Sequence, residues 1–173
     1  LLERSIICTS FMRTILLLTD WKGALYLQDI STKHLLYIQT ATSNHLETKC
    51  VFLYHEYNLE FPITKAIPYY AKLHFTSASI LIDAAKSILN INKLVPIYLN
   101  PKTILFPIKQ KRAPIQTYIN AHYIIGMTEM GNSTMLHFKN GKTLEVDEPM
   151  SLISKKCYES LALKHFIENT NDH

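Results

Sequence analysis

Thr134-Met135-Leu136-His137-Phe138-Lys139-Asn140-Gly141-Lys142-Thr143-Leu144-Glu145-Val146 is the stretch on which the reading of the fold turns. Two short β-leaning runs flank a polar tip. Leu136 and Phe138 alternate with Met135 and, depending on register, His137, so one face of the first run is apolar. Asn-Gly tolerates positive φ at both positions, which a two-residue hairpin turn requires. A tight antiparallel hairpin is expected, with Lys139 and Lys142 beside its tip.

Toward the C-terminus, Pro149–Glu168 reads as an amphipathic helix. Asp147 and Glu148 precede Pro149, matching the preference for acids and proline at a helix start. Ile153, Cys157, Leu161 and then Phe166 or Ile167 form its expected apolar stripe, and Asn169–His173 a frayed tail. Toward the N-terminus, Val95–Leu99, Thr103–Ile108 and Gln116–Ile125 read as strands. Asn100-Pro101 makes the first turn, and a basic loop, Lys109–Pro114, separates the other two. In Thr76–Asn90 the period becomes helical through Ile80, Leu81, Ala84, Ala85, Ile88 and Leu89, with a Ser or Thr cap at the start. Earlier still, His34–Gln39 and Lys49–Glu56 are expected strands around a polar loop. Pro62 and Pro68 mark an irregular segment, because each lacks a ladder donor. Arg13–Leu18 and Ala24–Gln28 suggest a hairpin around Trp21-Lys22-Gly23. The expectation is a single α+β domain over residues 1–173, strand-rich, with an internal helix and a C-terminal amphipathic helix.

The chain has 173 residues, 47% apolar and 18% charged, enough to bury a core and too apolar to be disordered throughout. No apolar run approaches the length needed to span a bilayer, and Ile15–Leu18 makes a poor signal segment. Cys8, Cys50 and Cys157 are odd in number and unpaired in spacing, which points to thiols in a reducing, cytoplasmic compartment. The net charge is +4, and its distribution is uneven. Between Asp83 and Glu129 there is no acid, while Lys86, Lys93, Lys102, Lys109, Lys111 and Arg112 all fall there. Uncompensated cations of this kind suit a polyanion.

Catalytic and metal motifs are incomplete wherever they begin. Gly141-Lys142-Thr143 resembles the end of a phosphate loop, but Leu136 stands where that motif needs glycine. The eight histidines show no H-x-H, H-x3-H or H-E-x-x-H spacing. No G-x-S-x-G elbow or catalytic cysteine signature occurs. The expectation is a non-enzyme with no cofactor and no metal.

Four pieces follow one another in order: Val95-Pro96-Ile97-Tyr98-Leu99-Asn100-Pro101, Ile104-Leu105-Phe106-Pro107, Tyr118-Ile119-Asn120-Ala121-His122-Tyr123-Ile124, and the hairpin Leu136–Leu144. On these pieces the sequence from about Leu73 to Phe166 resembles the competence transcription factor ComK family. It implies a transcription activator of DNA-uptake genes that binds double-stranded, A/T-rich DNA largely through the minor groove as a homo-oligomer. Relatives of this kind carry a C-terminal tail read by a proteolytic adaptor, a further partner the resemblance implies, although the sequence ends at His173 without residues matching that tail. Narrow A-tract minor grooves attract Arg and Lys. Lys102, Lys109, Lys111 and Arg112, with Lys139, Asn140 and Lys142 at the hairpin tip, are therefore the candidate DNA-binding residues. Phe75–Lys86 is nearly neutral where the family usually carries a Cys, Gly and Arg/Lys-rich segment. That departure motivates the alternative of a protein-interaction domain of the same fold that has lost DNA binding.

Overall fold

The computed structural model describes residues 32–41, 46–110 and 112–171; Lys111 and the hairpin expected around Trp21 lie outside the described residues. The elements run β1 (Leu35–Thr40), β2 (Thr48–Phe52), β3 (Glu56–Leu59), α1 (Ile63–Leu73), α2 (Ala78–Leu89), β4 (Ile97–Asn100), β5 (Thr103–Pro107) and β6 (Thr117–Asn120). A 3-10 turn (Ala121–Tyr123), β7 (Ile124–Met130), β8 (Ser133–Phe138), β9 (Thr143–Val146) and α3 (Met150–Asn171) complete them. The architecture is α+β. A six-stranded antiparallel sheet has the order β3-β2-β1-β6-β5-β4, and a three-stranded sheet has the order β7-β8-β9.

The larger sheet buries both faces, so its strands read as nearly continuous apolar runs. Leu35, Ile38, Cys50, Phe52, Leu105 and Tyr118 pack against Ile63, Ala66, Ile67, Tyr70 and Ala71 of α1. Leu36, Tyr37, Val51, Phe106 and Ile119 face the second sheet and α3, meeting Leu136, Phe138, Val146 and Ile153. Alternation alone would send Leu35 and Tyr37 to one face. A register shift between them in the β1–β2 pairing breaks the alternation and puts Leu36 and Tyr37 together.

Several expectations are corrected. The Pro62–Pro68 segment is helical. Pro62 is the N-cap, where its fixed φ of −67° is tolerated, and Pro68 sits inside the helix on its exposed side. The carbonyl freed by Pro68 belongs to Thr64, which is also exposed, so water can serve it. Ile63, Ala66, Ile67, Tyr70 and Ala71 are the helical stripe that the prolines obscure. Lys49–Glu56 divides into β2 and β3 around a tight turn closed by Phe52 N–H donating to the His55 carbonyl at 2.9 Å. Gln116–Ile125 is likewise interrupted: the 3-10 turn carries the chain from the first sheet into β7 of the second.

The terminal helix is present, but its buried strip differs from the expected one. Ile153, Lys156, Ser160 and Leu163 are buried, while Leu161 and Phe166 are 42% and 52% exposed. Polar residues occupy core positions because their groups are satisfied locally. Lys156 Nζ lies 2.6 Å from Glu159 Oε2 and 3.1 Å from the Lys93 carbonyl, and Ser160 Oγ donates to the Lys156 carbonyl at 2.7 Å.

Candidate nucleic-acid interface

Where each candidate lies follows from strand register. Gln39 pairs with Thr117 and Pro107 with Tyr118, so the loop from Lys109 to Pro114 stands at the end of the sheet where β1 finishes and β2 begins. Leu35 pairs with Phe52, Leu105 with Asn120 and Asn100 with Thr103, which places His34, Leu53, Lys102 and His122 at the other end. The β8–β9 tip reaches that second end, because Asn140 Nδ2 donates to the Leu53 carbonyl at 2.6 Å and Lys142 Nζ to the Phe52 carbonyl at 3.0 Å. The basic loop and the hairpin tip are therefore apart, and the seven candidates do not form one patch.

At the loop end, Lys109 and Arg112 join Lys86 and Lys93 around a cleft of about 450 Å3 whose apolar floor includes Ile82, Val95 and Ile97. Three segments supply the cations: the last turn of α2, the connection to β4, and the loop after β5. They are not equally available. Lys86 Nζ lies 2.9 Å from Asp83 Oδ1, and Lys109 Nζ lies 3.7 Å from Asp147 Oδ2 and 4.0 Å from Glu148 Oε1. Exposed pairs of this kind are weak and can yield to a polyanion. Arg112 and Lys93 are exposed and in no ion pair among the described residues. Lys86 and Lys93 belong to the acid-free stretch of sequence. Their place beside Arg112 depends on α2 packing against β4, which the charge pattern does not reveal.

At the opposite end, Lys102 and Lys139 share a neighbourhood with His122 and Lys164. Burial holds the His122 imidazole below its ordinary value, and the positive charges of Lys164, Lys139 and Lys102 lower it further, against a smaller opposing effect of Glu168. Lys139 Nζ stands 5.9 Å from the Tyr123 ring centroid, and Tyr123 packs edge-on to His122. Lys164 carries no local sequence signal, since α3 returns it to this end only through the fold.

Asn140 and Lys142 have structural work at the tip. Asn140 Oδ1 also accepts from Lys142 N–H at 3.1 Å, so the side chain closes the turn while its amide docks the turn on the larger sheet. The expected two-residue turn is replaced by a three-residue one. Phe138 N–H donates to the Lys142 carbonyl, and only Gly141, with φ of 79°, has left-handed backbone.

Asn120 is the residue whose role the sequence concealed. It is fully buried; its Oδ1 accepts from Ile104 N–H at 3.1 Å and His122 N–H at 3.2 Å. Its Nδ2 donates to the Leu35 carbonyl at 2.7 Å and the Lys102 carbonyl at 2.9 Å. One amide thus joins β1, the β4–β5 turn, β5 and the 3-10 turn, and it fixes the backbone carrying Lys102 and His122. Its only sequence signal is its place in the Tyr118–Ile124 motif.

Among the described residues, no group of three or more His, Cys, Asp or Glu side chains is placed to hold a metal ion. Cys50 is buried and Cys157 half-buried, and burial pushes the Cys157 thiol up. No helix of the described residues is long and apolar enough to cross a membrane. Fold and surface together define an α+β domain whose candidate functional groups are cations gathered at two ends of one sheet.

The chain belongs to the ComK family: the family model described as ComK protein matches residues 29–171. The match begins well before Leu73, so β1 to β3 and α1 belong to the family's pattern as much as the motifs that carry the resemblance do. Membership suggests a competence transcription factor role, which fits a chain that is not an enzyme. No curated protein and no solved structure matches the chain.

Proposed function

We propose that the protein is a DNA-binding transcription activator of competence genes, acting in the cytoplasm on A/T-rich duplex with the loop-end cleft as its primary contact. In this reading Arg112 and Lys111 reach into the minor groove. Lys93 and Lys109 neutralise flanking phosphates, and Lys86 adds to the field. The observation that carries the reading is the convergence of Lys86, Lys93, Lys109 and Arg112 from three separate segments on one cleft. Convergence of this kind concentrates positive potential where a polyanion can approach. A narrow A-tract groove offers the complementary negative potential, and guanidinium is well suited to enter it. A homo-oligomer would place two such clefts on adjacent boxes.

Fluorescence anisotropy with A/T-rich and G/C-rich duplexes of equal length tests the reading. Tighter binding to the A/T-rich duplex, weakened by Arg112→Ala, supports it; equal affinity for both, unaffected by Arg112→Ala, refutes it.

One observation favours the alternative, a protein-interaction domain that has lost DNA binding. Phe75, just after α1, is 82% exposed and Ile80, in the first turn of α2, is 64% exposed, both in the segment that is nearly neutral. That reading expects no duplex affinity at low salt and a stable protein complex that Ile80→Ser dissolves.

A further inference from the structure

The second cationic end has no part in the contact proposed above, and its composition is that of a nucleic-acid surface. Lys102 and Lys139 are exposed there, and Lys164 is partly exposed. The carboxylate facing them is Glu168, 3.9 Å from Lys164 Nζ, which leaves Lys102 and Lys139 in no ion pair among the described residues. Aromatic rings are interleaved with these cations. Tyr123 lies under Lys139, its hydroxyl is 3.2 Å from His34 Nδ1, and His34 in turn packs edge-on to Tyr54 at 5.6 Å. Tyr54 is 80% exposed at the tip of the β2–β3 turn, free to pack against a sugar or base edge. Cations that fix phosphates beside such a ring are the usual pairing in nucleic-acid surfaces.

Geometry separates this surface from the cleft. Lys102 and Lys109 bracket β5 and lie about 23 Å apart along it, at a rise of about 3.3 Å per residue. The cleft opens beside α2 at the loop end of the larger sheet, whereas Tyr123 and the hairpin tip stand at the opposite end, where Asn140 and Lys142 bond the Leu53 and Phe52 carbonyls. A straight duplex that crosses the loop end of the sheet, transverse to the strands, does not also pass the second end. Reaching both with one duplex would mean bending it round the domain, at a cost of order 1–6 kcal/mol.

We propose that Lys102, Lys139 and Lys164, with the exposed ring of Tyr54, form a second and independent DNA-backbone site in which buried Tyr123 supports Lys139 from beneath, so that one chain bridges two duplex segments. The proposal rests on the cleft being a duplex contact. It gives the protein a way to hold two stretches of DNA together, and the second site reads backbone rather than sequence.

The test is capture of a second, labelled duplex by protein bound to an immobilised A/T-rich duplex, using the full chain. Wild type should retain the labelled duplex. Lys102→Glu with Lys139→Glu should still bind the first duplex but reduce capture of the second to the level seen without protein. Arg112→Glu with Lys93→Glu should also abolish capture while keeping residual, sequence-indifferent binding. All four positions are exposed, and unchanged circular dichroism confirms folding. Undiminished capture by the Lys102/Lys139 variant overturns the proposal, since a dimer with one site per chain would then suffice. Bending of a single end-labelled duplex by wild type without capture of a second also overturns it. Absence of any duplex binding by wild type defeats the cleft reading itself, a result distinct from either of these.

Discussion

Replacing Asn120 with alanine removes four hydrogen bonds from a site with no solvent access. The two carbonyls of Leu35 and Lys102 and the two amides of Ile104 and His122 are deprived of their amide partner together. A typical intramolecular hydrogen bond contributes about 1 kcal/mol net, and a buried group left unpaired costs about 1–3 kcal/mol. Because the vacated space can admit some compensation, about 4 kcal/mol is expected rather than the sum of the upper values. Against a stability of about 0.05–0.15 kcal/mol per residue, that is a large fraction of the whole. With a urea slope of about 2 kcal/mol/M, the midpoint should fall by about 2 M. Equilibrium urea unfolding, followed by tyrosine fluorescence and by circular dichroism, measures it. Asn120→Asp should be nearly as damaging, since an oxygen would face the two carbonyls that Nδ2 now serves. A midpoint shift equivalent to less than about 1 kcal/mol for the alanine variant would refute the reasoning, because one ordinary hydrogen bond accounts for that much.

Other perturbations follow from named interactions. Glu159→Ala leaves the Lys156 ammonium buried with only the Lys93 carbonyl, and should cost about 3–5 kcal/mol; the paired replacement Lys156→Met with Glu159→Leu should recover most of it in thermal unfolding. Phe75 has φ of 57° just after α1, with Phe75 N–H and Thr76 N–H donating to the Lys72 and Ala71 carbonyls, the arrangement in which glycine is usual. Phe75→Gly should therefore raise stability by about 1 kcal/mol, seen as a higher midpoint. Gly141→Ala meets no neighbouring atom, so its expected cost, about 1 kcal/mol, is backbone strain at φ of 79° alone. Burial lowers His74 below its ordinary value of 6.5, and Thr32 Oγ1, which accepts from Asn100 Nδ2, can donate to His74 Nε2 only when the ring is neutral. The unfolded chain then binds more protons than the native one, so stability should fall as pH drops through about 6.5. His122 has the same sign. The joint variant His74→Gln, His122→Gln should flatten the pH dependence of the unfolding midpoint, and an unchanged slope would contradict this assignment.

How much the sequence disclosed depended on whether a signal was local. The β8–β9 hairpin and the two helices beginning near Ser77 and Pro149 carry their periodicity and end signals within a few residues, and all three are present. α1 was hidden because Pro62 and Pro68 act as breakers in most settings, and here one caps while the other faces solvent. The apolar stripe of α3 was misplaced for a related reason. Leu161 and Phe166 look like core, but Lys156 and Ser160 take the buried positions once Glu159 and backbone carbonyls satisfy them.

For the site, the acid-free stretch contains Lys86, Lys93, Lys109 and Arg112, which line the cleft, but it does not disclose their arrangement. Charge counts do not tell which end of a strand a loop occupies. Register does, and it separates Arg112 from Lys139. Asn140 and Lys142 resembled a projecting tip, yet their polar atoms hold the second sheet against the first. Lys111 alone among the candidates lies outside the described residues.

The central claim is that cations around the loop-end cleft neutralise duplex phosphates. Its most direct test is the slope of log Kobs against log salt concentration for an A/T-rich duplex, measured for wild type and for Arg112→Ala with Lys93→Ala. Every phosphate that is no longer neutralised should flatten the slope by about 0.9, so the double variant should be shallower by about 1.8 on the same constant. A steep wild-type slope left unchanged by the double substitution would place the duplex elsewhere on the surface and contradict the account.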